Sequence, residues 1–329
     1  MKKNKTKQIH KIRNRLLISL AILASFIGCN NTNIFYSKQS DFQFLAHRGL
    51  AQTYDESKTD YHSNTASMID SPVHPYLENT LDSIQVAFDH GAKIVELDIK
   101  LTKDNQFAVF HDSTLEHRTD GTGEVGDYTM AELKMLDIGY GYTSDNGKTY
   151  PFRGKGIGLM PELKNVLNTF TDKEFLIHIK DGNMKTVELL SEYISKLPSD
   201  YSNLLCFYGD DDPIQYLKNH NPEYKIFSKK MMVNFLIQYE LIGWTGIIPE
   251  SMKNKVILLP ADYATFIWGF PQKFITRMDS VNTVVILVKG DGSPAEGYDN
   301  AEEMKAIPQG FDGYIWTNRI DLVTDENLK

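Results

Sequence analysis

Ile94-Val95-Glu96-Leu97-Asp98-Ile99 places two acids, one residue apart, inside an otherwise apolar run. Side chains of a strand repeat with period two, so Glu96 and Asp98 share one face while Val95, Leu97 and Ile99 share the other. A parallel sheet buries both of its faces. An acid pair in such a strand is therefore expected to lie out of water, where two carboxylates need a cation or a basic partner. Upstream, the short apolar run Phe42-Gln43-Phe44-Leu45-Ala46 reads as a buried strand that carries His47-Arg48-Gly49 to the rim of the sheet. Leu81, Ile84, Ala87 and Phe88 follow helical spacing, with Glu78-Asn79-Thr80 at the helix start and Gly91 beyond its end. Downstream, Phe107-Ala108-Val109-Phe110 reads as a third strand, delivering His111-Asp112 to the same kind of position. Taken singly, each cluster is an ordinary turn residue or helix start. In this order they place two histidines and two carboxylates on one rim.

The run from Leu45 to Lys180 resembles the catalytic domain of the glycerophosphodiester phosphodiesterase family, a PLC-like phosphodiesterase barrel, through the motifs at 47 to 49, 78 to 80, 96 to 98 and 111 to 112. Leu101 to Asp104, Arg118 to Gly123 and Tyr128 to Leu133 are similar to the family's connecting segments. Asp312 to Arg319 resembles its last strand and turn, and 185 to 310 matches loosely. The resemblance implies an α/β fold of the (β/α)8 TIM-barrel type, with chemistry at the carboxyl ends of the strands. It implies metal-dependent hydrolysis of glycerophosphodiesters to glycerol 3-phosphate and an alcohol. His47 and His111 would divide the general-acid and general-base roles, with the assignment open. Glu96 and Asp98, with His178, would serve a divalent cation, Ca²⁺ or Mg²⁺, and Glu78 would join the metal shell or orient a basic residue. Arg48 and Lys180 would neutralise the phosphoryl charge. Trp316, at the end of the last strand, is read either as packing against a glycerol or head group or as core packing.

One departure matters. Where the family commonly has Glu-Ile-Lys, this chain has His178-Ile179-Lys180, and imidazole is a poorer partner than carboxylate for a hard cation. Three readings follow: His178 ligates weakly, water or Asp181 fills the vacancy, or the barrel is an inactive relative. Residues 178 and 180 share a strand face, so His178 still points where a ligand belongs, and altered metal binding is the expectation. A phospholipase C- or D-like enzyme on intact or lyso lipids, and a noncatalytic tethered barrel, are the competing readings.

The rest of the chain alternates in the manner of a parallel sheet with crossover helices. Helices are expected at 130 to 136, 161 to 170, 213 to 218, 231 to 241, 270 to 278 and 301 to 306. Strands are expected at 174 to 180, 203 to 208, 225 to 227, 256 to 259, 283 to 288 and 313 to 316. Residues 42–329 suffice for one barrel of about 250 residues with insertions. Residues 50–77, polar and aperiodic, are expected to form either a flap beside the site or a solvated loop; 139–158 is expected to shape the rim. Trp244 and Trp268, with Phe266, Ile267 and Phe270, form an apolar segment read as packing between barrel and outer helices, or as an acyl-chain path.

Residues 1–28 read as a lipoprotein signal peptide: seven Lys and Arg precede the apolar or small stretch Leu16 to Gly28, which is shorter than the roughly 20 residues of a membrane span. Phe26-Ile27-Gly28-Cys29 resembles a lipobox, with Cys29 as the acylated mature terminus and 29–41 as a tether. The expected location is exported and lipid-anchored to a bacterial cell envelope, at the outer membrane or periplasm if the source has an outer membrane. Removing residues 1–28 takes away seven of the 35 basic residues and none of the 43 acidic ones, moving the net charge from −8 to −15. So acidic a body argues against nucleic acid or anionic lipid as an electrostatic partner, leaving the lipid anchor as the means of membrane attachment. Cys206 is then the remaining cysteine, expected as a buried apolar side chain with no internal disulfide.

Overall fold

The computed structural model describes residues 31–33, 40–55, 58–59, 63–292 and 296–324, together with positions 17 and 28. The stretch read as a signal peptide, beyond those two positions, with Cys29 and most of the stretch read as a tether, lies outside the described residues. Within them, no helix is long and apolar enough to cross a membrane.

Nine strands form the core: β1 (Gln43–His47), β2 (Ala92–Leu101), β3 (Phe107–Val109), β4 (Glu174–Ile179), β5 (Leu205–Gly209), β6 (Lys225–Ser228), β7 (Val256–Pro260), β8 (Val284–Val288) and β9 (Tyr314–Thr317). Eight of them run parallel in the order β6-β5-β4-β2-β1-β9-β8-β7, with β6 and β7 adjacent, giving a nearly closed (β/α)8 barrel. Residue alternation decides which side chains fill it. Leu45, Ile94, Leu176, Cys206, Ile286 and Trp316 pack together in the interior. Their sequence neighbours Ala46, Val95, Leu97, Phe175, Ile177, Leu205 and Phe207 face the helices. Each fully buried Phe or Leu of this second layer contributes about 1.5–3 kcal/mol. The same alternation continues up each strand, so His47, Glu96, Asp98, His178 and Tyr208 are the interior positions nearest the carboxyl ends.

The ninth strand corrects the sequence expectation. β3 is antiparallel to β2, pairing Ile99 with Val109 and Leu101 with Phe107, and is no part of the barrel path. β2 runs two residues past its last pairing with β4 at Ile99, and β3 folds back along that overhang. Phe110 N then donates to Asp98 O (3.0 Å), which returns His111 to the level of the acid pair. β4 is accordingly the third barrel strand. Two further differences are local. Tyr201–Leu204 forms a helical turn where a strand was expected to begin. The helix Met184–Ile194, capped by Asn183, was unanticipated although Val187, Leu190 and Ile194 have helical spacing.

Both insertions are anchored to the barrel. Gln52 donates to the carbonyls of His74 and Tyr76, and Tyr54 bridges to Ile69, tying the described part of 50–77 to itself. Ala66, Ile69 and Leu77 share a second apolar cluster with Tyr142 and Phe152 of the other insertion. Gly141 permits this approach, because a Cβ there would collide with the His117 carbonyl.

Candidate active site

The His-Arg-Gly turn and the Glu-Asn-Thr helix start build one another. Arg48 adopts φ 56° and Gly49 φ 78°, and a Cβ on Gly49 would lie 2.7 Å from the Ser83 carbonyl, which excludes other residues there. Asn79 N donates to Arg48 O (2.9 Å) and Leu50 N to Ser83 O (3.0 Å). Thr80 caps the helix Leu81–Asp89 by accepting from Ser83 N, worth about 1 kcal/mol. Asn79, itself left-handed at φ 59°, donates from Nδ2 to Asp98 Oδ2 (3.1 Å) and accepts from Asp98 N (3.3 Å). The helix start thereby fixes the second acid of β2.

Glu96, Asp98 and His178 each offer a ligand atom, all within 4.8 Å of one another. Asp98 Oδ1 lies 3.1 Å from His178 Nδ1 and its Oδ2 lies 3.2 Å from Arg48 Nε. Burial opposes its charge, but His111, Arg48 and the His178 hydrogen bond together hold it well below the usual carboxylate range. Glu96 goes the other way: burial, then the neighbouring Asp98 charge, push it up to about 8. Tyr208 OH donates to Glu96 Oε1 (2.6 Å), while buried Oε2 has no hydrogen-bond partner. A buried acid pair with one oxygen unsatisfied suits a divalent cation, which would take the place of the proton on Glu96, so the residues present fit one. The His178 ring stacks on Tyr208 at 4.1 Å and 15°, which fixes the plane of the nitrogen donor.

Two of the expected ligand positions turn elsewhere. Glu78 aims Oε1 at Arg48 Nη1 (3.0 Å) and Oε2 at Arg118 Nη1 (3.2 Å), outside the three-ligand group, because two buried guanidiniums need its charge. Asp181 accepts from Leu101 N and Thr186 Oγ1 through Oδ2 (2.9 Å each), holding the end of β2 and the next helix start, and does not fill the third-ligand position.

The two imidazoles flank the acid pair. Asn318 donates from Nδ2 to Asp299 Oδ2 (2.8 Å), so its Oδ1 accepts from His47 Nδ1 at 2.7 Å. His47 Nε2 is left facing Glu96 Oε2 at 3.7 Å. His111 Nδ1 donates to Asp112 Oδ1 (2.8 Å), and Lys180 Nζ lies 3.2 Å from its Nε2. Burial, then Arg48, holds His47 well below the ordinary imidazole range and takes His111 down to about 4, so both rings are neutral at pH 7. Arg118 ties the two flanks together, pairing with Asp112 Oδ2 (3.0 Å) and Glu78 while Tyr142 OH and Thr65 Oγ1 take its other protons (2.7 Å each). Both insertions thus reach the site through one arginine.

Trp316 is placed differently from its expected substrate contact: 1% exposed, it lies under the His47 ring at 4.7 Å and serves as its floor. Asn79, Asp112, Arg118, Tyr208, Asp299 and Asn318 carry interactions that the sequence reading left unassigned. Period two was the available signal for Tyr208 and Asn318, since they lie two residues beyond the interior positions Cys206 and Trp316. A pocket beside His47, Arg48, Glu78 and Asn318 is closed on its other side by Ala51 to Tyr54 of the first insertion.

Fold and rim together define an α/β barrel whose interior acid pair is flanked by two oriented imidazoles. Residues 47–201 match the model of the Glycerophosphoryl diester phosphodiesterase family. A glycerophosphodiester phosphodiesterase of Caldanaerobacter subterraneus is 38% identical over 103 residues, covering 31% of this chain and 39% of that protein. The chain thus spans well under half the length of this curated relative. Among solved structures, the glycerophosphoryl diester phosphodiesterase domain of a Mycobacterium tuberculosis protein superposes with TM-score 0.59 at 15% identity, over 85% of this chain and 97% of that one. An Oleispira antarctica phosphodiesterase, solved in complex with the product sn-glycerol-3-phosphate, superposes with TM-score 0.51 at 20% identity, over 84% and 92%. At these identities the superpositions establish the fold.

Proposed function

We propose that this chain is a divalent-cation-dependent phosphoric diester hydrolase that cleaves glycerophosphodiesters to glycerol 3-phosphate and an alcohol. The observation that carries the reading is the pair of neutral imidazoles, each with Nδ1 tied to an acceptor, on either side of an acid pair with an unsatisfied buried oxygen. The names of the curated relatives and the product held by the Oleispira enzyme support the same substrate class.

His47 and His111 act as base and acid: one takes the proton of the attacking hydroxyl at Nε2 as that oxygen bonds to phosphorus, and the other, having taken up a proton from solvent in the substrate complex, gives it to the departing alkoxide as the second P–O bond breaks. His111, backed by ionised Asp112, is the better seat for a proton. Arg48 and Lys180 balance charge around the phosphoryl group. Glu96 and Asp98, with the His178 ring, hold the cation. When bound, Ca²⁺ or Mg²⁺ neutralises phosphoryl oxygens and lowers the barrier to attack. The stretch 50–77 acts as a flap over the pocket. Export with a lipid on Cys29 is the corresponding reading of residues 1–29, supported by the charged, apolar and cysteine-terminated order of that segment.

The test is the full chain, stripped with chelator and assayed on glycerophosphocholine, lysophosphatidylcholine and phosphatidylcholine with and without added Ca²⁺ or Mg²⁺. Cation-dependent release of glycerol 3-phosphate from the deacylated diester is expected. Absence of cation-dependent turnover, with His47→Ala behaving as the parent, would end the enzyme reading.

A further inference from the structure

The helix Lys229–Ile242 departs from the polar exterior expected of a barrel helix. Val233, Ile237 and Leu241, four residues apart, run along one line of its surface, and with Ile247 and Phe266 they are 44% to 75% exposed. Trp244 Nε1 donates to Leu241 O (3.2 Å) and Trp268 Nε1 to Glu240 O (3.0 Å), which draws the connections carrying Ile247 and Phe266 to the end of that helix. A clustered apolar surface of this kind marks a contact site.

The chain itself indicates what covers it. Asn31 donates to Trp244 O (3.0 Å) and accepts from Arg277 (3.3 Å), and Asn33 donates to Phe270 O (2.8 Å) and accepts from Lys273 N (3.2 Å). The segment is thereby fastened between the same two connections. In sequence the apolar run Leu16 to Gly28 and Cys29 end two residues before Asn31, a reach of about 7 Å at full extension. An acyl chain on Cys29, or the apolar run, is tied by chain length to within that reach of the fastened Asn31.

We propose that Val233, Ile237, Leu241, Ile247 and Phe266 form a docking face for a lipid bilayer, seated by the N-terminal segment that Asn31 and Asn33 fasten next to it. Barrel helices run antiparallel to the strands, so Leu241 and the connection into β7 lie toward the amino ends of the strands, opposite the catalytic rim. The line from Val233 to Leu241 runs along the helix, so the bilayer lies against the barrel's flank and the mouth of the site opens beside it rather than into it. That last step rests on the proposed hydrolase; the docking face does not.

The experiment binds the full chain to phosphatidylcholine vesicles with brominated acyl chains and reads tryptophan fluorescence. Quenching is expected, falling several-fold in Leu241→Asp and Phe266→Asp while their thermal transitions and hydrolysis of glycerophosphocholine stay at the parent level. Cys29→Ala should partition more weakly yet quench equally per bound molecule. Quenching unchanged by both aspartate variants would overturn the docking face. So would a dimer in sedimentation that the same variants dissociate, which would assign the patch to a second copy. Since quenching needs no turnover, failure of the hydrolase reading leaves this result readable; equal turnover of lysolipid in the supporting bilayer and glycerophosphocholine in solution would overturn the orientation alone.

Discussion

On the β1–β9 side of the site His47 donates to an amide, Asn318, itself held by Asp299; on the hairpin side His111 donates to a carboxylate, Asp112, clamped by Arg118. An amide fixes a tautomer and nothing more, whereas an ionised carboxylate also stabilises the imidazolium that forms during turnover. Asp112 is held far below the ordinary carboxylate range, chiefly by Arg118 and His111 working against burial, so its charge is secure at any working pH. The two rings thus differ in what a proton on each would meet, and the His111 side chain, 24% exposed against 7% for His47, also stands more open to solvent.

Removing either ring should cost the most and fail to distinguish the flanks: His47→Ala and His111→Ala each lower kcat/KM by about three orders of magnitude, within the usual range of acid–base catalysis. The partners separate them. Asp112→Asn should lower kcat about 100-fold and shift the pH profile, whereas Asn318→Ala should lower it about tenfold without shifting the profile. Equal losses with identical profiles would erase the distinction drawn here. Between the flanks, the acid pair makes cation binding pH-dependent. Below about 8 the cation must displace a proton from Glu96, so affinity measured by calorimetry should rise about tenfold per pH unit up to that point and flatten above it. The smallest expected effect is at the third ligand: His178→Glu replaces nitrogen by oxygen and should tighten Mg²⁺ binding by about tenfold or less.

The alternation of apolar and acidic residues in β2 was enough to place Glu96 and Asp98 in the interior, and the helical spacing after Thr80 was enough to place the Glu-Asn-Thr start beside them. The direction of Phe107 to Phe110 was missed, although the signal was present: five residues, 102 to 106, separate β2 from β3, too few for the roughly dozen or more that a parallel crossover needs, so the strand folds back along the overhang of β2. Between the metal shell and a basic residue, Glu78 takes the second role, and the sequence left the choice open because the guanidiniums that claim its two oxygens come from positions 30 and 40 residues away. Trp316 looked like a rim residue, yet the rim begins one interior layer higher, at Asn318.

The central claim is that the buried acid pair and its flanking imidazoles form a cation-dependent hydrolytic site. Phosphorus NMR of glycerophosphocholine incubated with the chelator-stripped full chain tests it most directly. The account predicts no change until Ca²⁺ or Mg²⁺ is added, then conversion to the glycerol 3-phosphate resonance, abolished in Glu96→Gln. Conversion at the same rate in the presence of chelator, or an unchanged spectrum after addition of either cation, would contradict it.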